Sequence, residues 1–167
     1  LSTLSNFTIQ NGSADLGGGI YVSFSNIEID NCNIINNEGT YAIYLVNILD
    51  IANINNSLIF NNQGGIWSRD SHTNIYNSTF VENIIRPPLF ITGYVDEFGE
   101  LYNRTLENSI IWNNTDDNNY GPINYSNSGN ILVSYSNIEG GWEGEGNIDA
   151  DPLFCNGDSS DFTLYDN

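Results

Sequence analysis

The chain is expected to fold as an all-β, right-handed parallel β-helix (solenoid) of about six coils with an asparagine ladder. Three observations predict this. A seven-residue motif returns six times along 167 residues. The stretches between its copies hold short runs that alternate apolar and polar residues, such as "IYVSF" (Ile20 to Phe24) and "ILVSYS" (Ile131 to Ser136). Those runs are bounded by Asn, Gly, Asp or Ser, the residues that end strands and make turns.

The motif is clearest in "NCNIINN" (Asn31 to Asn37), "NSLIFNN" (Asn56 to Asn62) and "NSIIWNN" (Asn108 to Asn114). Aligned on its central apolar residue, the six copies centre on Ile9, Ile34, Ile59, Phe80, Ile111 and Ile138, spaced 25, 25, 21, 31 and 27 residues apart. Three residues earlier stand Asn6, Asn31, Asn56, Asn77 and Asn108, then Tyr135; three residues later stand Gly12, Asn37, Asn62, Asn83, Asn114 and Gly141. A helical repeat of similar period is excluded, because helix formers are scarce and no 3.6-residue stripe appears. Several short strands in a repeat of this length make one coil of a parallel β-helix.

Stacking then assigns each motif position a role. Strands of successive coils pair in parallel about 4.8 Å apart, so equivalent residues lie above one another. The central Ile and Phe residues become an interior column. The leading asparagines, Asn6, Asn31, Asn56, Asn77 and Asn108, suit tight bends and are expected to form the ladder, each amide reaching the next coil. The position after them (Phe7, Cys32, Ser57, Ser78, Ser109, Ser136) should point inward, which makes Cys32 a buried packing residue. Cys32 and Cys155 sit several coils apart, on the order of 20 Å, too far for a disulfide.

Composition narrows the function. There are 21 acidic residues against three basic ones, Arg69, Arg86 and Arg104, with no lysine and a net charge of −18. Such a surface repels phosphate backbones and anionic membranes, so nucleic acid is not an expected partner. No apolar run reaches the roughly 18 residues of a membrane span. Hydrophobic residues at 40% and aromatics at 13% are enough for a packed core. The chain is read as a single β-helix domain over 1–167, with 136–167 as its closing segment, and as a piece of something longer.

The repeats resemble right-handed β-helix repeats of secreted and surface-displayed bacterial proteins, in particular the polymorphic outer-membrane-protein repeats. "GGGIY" (Gly17 to Tyr21) and "GGIW" (Gly64 to Trp67) look like their Gly-Gly-apolar half, and "FVEN" (Phe80 to Asn83) like their Phe-x-x-Asn half. The tail "SNIEGGWEGEGNIDADPLF" (Ser136 to Phe154) resembles the closing segment of β-helix domains in large secreted proteins of marine and related bacteria. The resemblance implies an extracellular or cell-surface location and a cysteine partner for Cys155 beyond Asn167.

Catalytic motifs are absent. A lyase acting beside a uronate needs a cation and a strong base, and lysine is missing. Polygalacturonase-like aspartate groups, a Gly-His-Gly and a nucleophile elbow are also missing. "WSRDSH" groups Arg69, Asp70 and the only histidine, His72, either as an acid–base cluster or as a polar turn. Glu143, Glu145, Asn147, Asp149 and Asp151 alternate along a Gly-rich loop whose oxygen ligands suit Ca²⁺; the competing reading is a turn in which Asp149 and Asp151 cap backbone amides. No cofactor is required. The longest repeat carries an insertion, Arg86 to Arg104, in which Tyr94, Phe98 and Tyr102, with neighbouring Trp112, either stack on sugar rings or cover the core beneath the loop. The expected function is a non-enzymatic structural or adhesive module that contacts surface glycans, other proteins or itself; the alternative is a carbohydrate-binding or polysaccharide-degrading domain.

Overall fold

The computed structural model describes residues 1–48, 50–93, 102–126, 130–157 and 161–164. Three short strands make each coil. The first coil holds β1 (Ser2–Ser5), β2 (Thr8–Gln10) and β3 (Ile20–Ser23), and the second β4 (Ile27–Asp30), β5 (Asn33–Ile35) and β6 (Ile43–Val46). The third holds β7 (Ala52–Asn55), β8 (Leu58–Phe60) and β9 (Ile66–Arg69), and the fourth β10 (Thr73–Tyr76), β11 (Thr79–Val81) and β12 (Leu89–Thr92). The fifth holds β13 (Arg104–Glu107), β14 (Ile110–Trp112) and β15 (Ile123–Ser126). β16 (Leu132–Ser134) and β17 (Asn137–Ile138) begin a sixth coil, and β18 (Phe154–Asn156) and β19 (Asp161–Leu164) form an antiparallel hairpin.

The strands stack into three parallel walls. The first is β1-β4-β7-β10-β13-β16, the second β2-β5-β8-β11-β14-β17, and the third β3-β6-β9-β12-β15. The result is a parallel β-solenoid of about five turns rather than six. The sixth motif copy starts a turn that has no third-wall strand among the described residues, because Gly140 and Gly141 lead into the tail instead.

Register follows the motif residue by residue. Ile9 pairs Ile34, Ile34 pairs Ile59, Ile59 pairs Phe80, Phe80 pairs Ile111, and Ile111 pairs Ile138. The first wall adds the interior column Leu4, Ile29, Ile54, Ile75, Leu106 and Val133, and the third Ile20, Ile43, Ile66, Leu89 and Ile123. From the second coil to the fifth these side chains are essentially fully buried. Alternation puts every second side chain into the core, and stacking places like on like.

The first and second corners are each made by one residue with left-handed backbone. At the first corner these are Asn6, Asn31, Asn56, Asn77, Asn108 and Tyr135; at the second they are Asn11, Asn36, Asn61, Glu82 and Asn113. Asparagine tolerates this geometry better than other residues with a side chain. The leading asparagines are therefore corner residues with exposed side chains. One amide bond joins two of them, Asn31 Nδ2 to Asn6 Oδ1 at 2.7 Å, while Asn56 Nδ2 donates to Asp30.

A buried asparagine ladder runs three residues after the apolar centre, at positions the sequence did not single out for one. Asn37 Nδ2 donates to Asn62 Oδ1, Asn62 Nδ2 to Asn83 Oδ1, and Asn83 Nδ2 to Asn114 Oδ1, at 2.9–3.0 Å. The same Oδ1 atoms accept backbone N–H groups from the preceding coil, and the same amides donate to Ile9, Ile34, Ile59 and Phe80 carbonyls. The reason is steric. A left-handed residue at the second corner resets the in–out alternation, so the residue after it turns back into the core.

A second buried column flanks the first corner. The N–H groups of Cys32, Ser57, Ser78 and Ser109 donate to the hydroxyls of Ser57, Ser78, Ser109 and Ser136, each one coil further on. Each hydroxyl in turn donates to the carbonyl two residues before it. Cys32 is fully buried in this column and its Sγ lies 3.3 Å from the Asp30 carbonyl. Phe7 departs from the expectation: it is 57% exposed, because no serine-sized slot in the first coil admits a phenyl ring. Ser78→Ala would strand the Ser57 N–H in the core and should cost about 1–3 kcal/mol in chemical denaturation.

The Gly-Gly pairs serve close packing. A Cβ on Gly65 would lie 1.9 Å from the Pro88 carbonyl oxygen, and one on Gly18 would lie 2.1 Å from that of Glu38. Glycine lets one coil's corner sit directly on the next.

Candidate functional site

The third corner of the third and fourth coils holds the polar cluster seen in the sequence, now with partners. Asp70 follows β9 with left-handed backbone, and Arg69 Nε lies 3.4 Å from its carboxylate. His72 Nδ1 accepts the Asn103 N–H at 3.0 Å, and the imidazole meets the Tyr102 ring edge-on at 5.1 Å. Arg104 begins β13 from the inward side and is 3% exposed. Its guanidinium donates to the Thr92 and Tyr102 carbonyls, both at 3.2 Å, and lies 5.5 Å from the Tyr102 ring centre. The structure places β12 inside the Arg86 to Arg104 segment, and Arg104 joins the end of β12 at Thr92 to Tyr102, which leads into β13, while His72 braces Asn103. Ser68 and Thr73, also buried, bond each other at 2.8 Å.

This is a clamp rather than an acid–base pair. The imidazole's Nδ1 is committed to a backbone amide, and the arginine faces carbonyls. Burial lowers the Arg104 pKa to about 10, with Asp70 opposing the shift. A cation with a depressed folded pKa is penalised wherever it is charged in both states. The cost, on the order of a few kcal/mol, is complete below about pH 10 and relaxes only as pH rises toward the ordinary arginine range. Arg104 Nε has no hydrogen-bond partner, which adds to the cost. Arg104→Met should therefore leave stability within about 1 kcal/mol of wild type or raise it. Urea unfolding at neutral pH checks this, and a larger loss would show that the two carbonyl bonds outweigh the buried charge.

The other sequence-predicted residues do not converge. Tyr102 is buried against His72 and Arg104 and leads into the first wall, whereas Trp112 is half-buried on the outside of the second. Tyr94 and Phe98 lie outside the described residues.

The acidic loop is occupied with backbone. Asp149 Oδ1 accepts the Gly140 N–H, Asp151 Oδ1 accepts the Leu153 N–H, and Glu145 bonds the Tyr135 hydroxyl. Asn147 extends the serine column: its Oδ1 accepts the Ser136 N–H and its Nδ2 donates to the Val133 and Trp142 carbonyls. Glu143 is exposed beside Trp142. Among the described residues no group of three or more His, Cys, Asp or Glu side chains is placed to hold a metal ion.

No family model, no curated protein and no solved structure matches the chain.

Two outer faces carry aromatics. On the third wall Tyr21, Tyr44, Trp67 and Phe90 stand in register on successive coils. Neighbouring rings meet at 5.4, 4.7 and 5.4 Å with tilted or edge-on planes, and Tyr41 joins Trp67 and Phe90. Tyr44 and Tyr41 are buried by this packing. The column is legible in the sequence as the residue after the apolar one in "GIY", "AIY", "GIW" and "PLF", and includes none of the aromatics singled out there, Tyr94, Phe98, Tyr102 and Trp112. On the second wall Phe60 meets Phe162 of β19 at 4.9 Å, and Phe162 meets Phe154 of β18 at 5.2 Å, so the C-terminal hairpin lies over that face. Cys32 and Cys155 do not pair with each other.

Proposed function

We propose that this chain is a non-enzymatic, rigid β-solenoid module of an extracellular or cell-surface protein, with a structural or adhesive role. The observation that supports it most is how the stack uses its buried polar side chains. The serines and asparagines of the two columns hold one coil onto the next, leaving neither column a group for turnover. Such a module is stiff because each coil is bonded to its neighbours along several columns at once. The repeats' resemblance to surface-displayed bacterial β-helices agrees with this role.

Incubation with a panel of neutral and acidic polysaccharides should release no reducing ends or unsaturated products, and the fold should outlast broad-specificity proteolysis. Turnover of any of these polymers would sink the reading. One observation favours carbohydrate binding as a second reading: Tyr125 and Trp142, rings 6.1 Å apart, line an open pocket with Asn130 and Glu143. Aromatic, amide and carboxylate groups suit a sugar. Glycan-array binding that disappears in Trp142→Ala would establish it.

A further inference from the structure

We infer that the outer face of the third wall, around β9 and β12, is a binding surface for a neutral linear glycan of the β-1,4-glucan type. Trp67, Phe90 and Asn124 stand in one register row there, with Arg69 and Thr92 two residues along their strands. Trp67 and Phe90 each lie between two neighbouring coils, so their exposure is that of a side wall and not of an end. Both rings are half-buried, and both are held before any ligand arrives. Trp67 Nε1 donates to Thr92 Oγ1 at 2.8 Å. The buried Tyr41 and Tyr44 pack against Trp67 at 5.6 and 4.7 Å, and Tyr41 stacks on Phe90 at 5.8 Å. A surface fixed in this way loses little entropy on binding.

Charge and period select the occupant. Residues 51–95, which span the third and fourth coils, hold Arg69 and Arg86 against Asp70 and Glu82, so the net charge of −18 lies outside them. The five described strands of the third wall contain no Asp or Glu. Aromatic residues and arginine with charge otherwise depleted are the composition of a recognition surface. An acidic polymer, or a second copy of this chain, would be repelled by the −18 carried elsewhere. A neutral polymer meets no such penalty. Tyr44, Trp67 and Phe90 place one ring on each successive coil, about every 4.8 Å. A ligand that repeats along its own length meets an aromatic at each step, which an irregular protein surface does not. Pyranoses with equatorial hydroxyls present apolar C–H faces to the rings and hydroxyls at their rim, where Arg69, Thr92 and Asn124 supply polar groups. The inference rests on the adhesive half of the reading above, for which it names a ligand class, and it concerns a surface separate from the Tyr125 and Trp142 pocket.

Affinity electrophoresis in gels containing hydroxyethylcellulose tests this, with alginate gels as the acidic comparison. The expected result is retardation by the glucan and not by alginate. Trp67→Leu and Phe90→Leu, which keep an apolar side chain and remove the flat ring, should each weaken binding about tenfold or more while far-UV circular dichroism stays unchanged. Trp142→Ala should leave it unaltered. In titration calorimetry cellotetraose should bind more tightly than cellobiose, because the longer chain reaches further along the wall. No retardation by the glucan, stronger retardation by alginate, or loss in Trp142→Ala without loss in the leucine variants overturns the inference. Self-association that Trp67→Leu abolishes, with no glucan binding, overturns it as well and assigns the face to a second copy. Release of reducing ends from the glucan would instead sink the non-enzymatic reading and leave this surface standing.

Discussion

Asn62→Ala is expected to lower the unfolding free energy by about 3–5 kcal/mol, because it strands two buried backbone groups at about 1–3 kcal/mol each and opens a gap. Asn62 is fully buried in the third coil and serves both neighbours. Its Oδ1 accepts the Asn37 N–H at 2.9 Å and the Asn37 amide at 3.0 Å. Its Nδ2 donates to the Ile34 carbonyl and to Asn83 Oδ1, both at 2.9 Å. Truncation leaves the Asn37 N–H and one Ile34 lone pair in the core with no water to replace the amide. Against a typical total of about 5–15 kcal/mol this is severe. The loss should appear in urea unfolding as a lower midpoint at unchanged slope. Asn56→Ala, at the exposed first corner of the same coil, should cost clearly less. Equal costs at the two positions would refute the assignment of the ladder to the second corner.

Phe80→Ala should cost about 3–5 kcal/mol through lost burial and the cavity left behind. Phe80 is the largest fully buried side chain among the described residues, stacked between Ile59 and Ile111 in the second-wall column. Phe80→Ile, which makes the column uniform, should cost under about 1.5 kcal/mol if the neighbours repack. If the isoleucine variant lost as much as the alanine, the column would not be the adaptable apolar stack described. Thermal and denaturant unfolding of both variants decide between these outcomes.

The register was legible because a solenoid turns linear spacing into vertical alignment. The motif centres Ile9, Ile34, Ile59, Phe80, Ile111 and Ile138 pair neighbour to neighbour along the second wall. Insertions change the spacing without changing the register, since the 31-residue coil absorbs its extra length between β12 and β13. The two asparagines of each motif were harder to separate. Asn56 and Asn62 look alike in "NSLIFNN", yet one is an exposed left-handed corner and the other a buried rung. Strict alternation from Ile59 would send Asn61 inward and Asn62 outward. The left-handed step at Asn61 reverses that, and the tolerance of asparagine for this geometry does not say which of Asn61 and Asn62 takes the step. Ser57 escaped the problem because it and Ile59 have the same parity.

The acidic loop and "WSRDSH" show the same limit at the site. Residue type left Ca²⁺ ligands or capping carboxylates open at the first, and an acid–base cluster or a polar turn at the second. Asp149 and Asp151 accept backbone N–H groups, as in the capping reading, His72 does the same, and Arg104 donates to the Thr92 and Tyr102 carbonyls. Which group a side chain meets depends on a neighbour 9 to 31 residues away, or on a turn only two residues long.

By itself, then, the sequence determined the parallel coil, its apolar columns and the pairing of equivalent residues, since these follow from a repeat whose strands must pair with the next copy. Tertiary structure alone decided which asparagine is buried and that the described residues make about five turns. Those features arise where the repeat is broken, at left-handed corners and where Gly140 and Gly141 lead out of the coil. There the energy of a residue is set by contacts that the repeat does not fix.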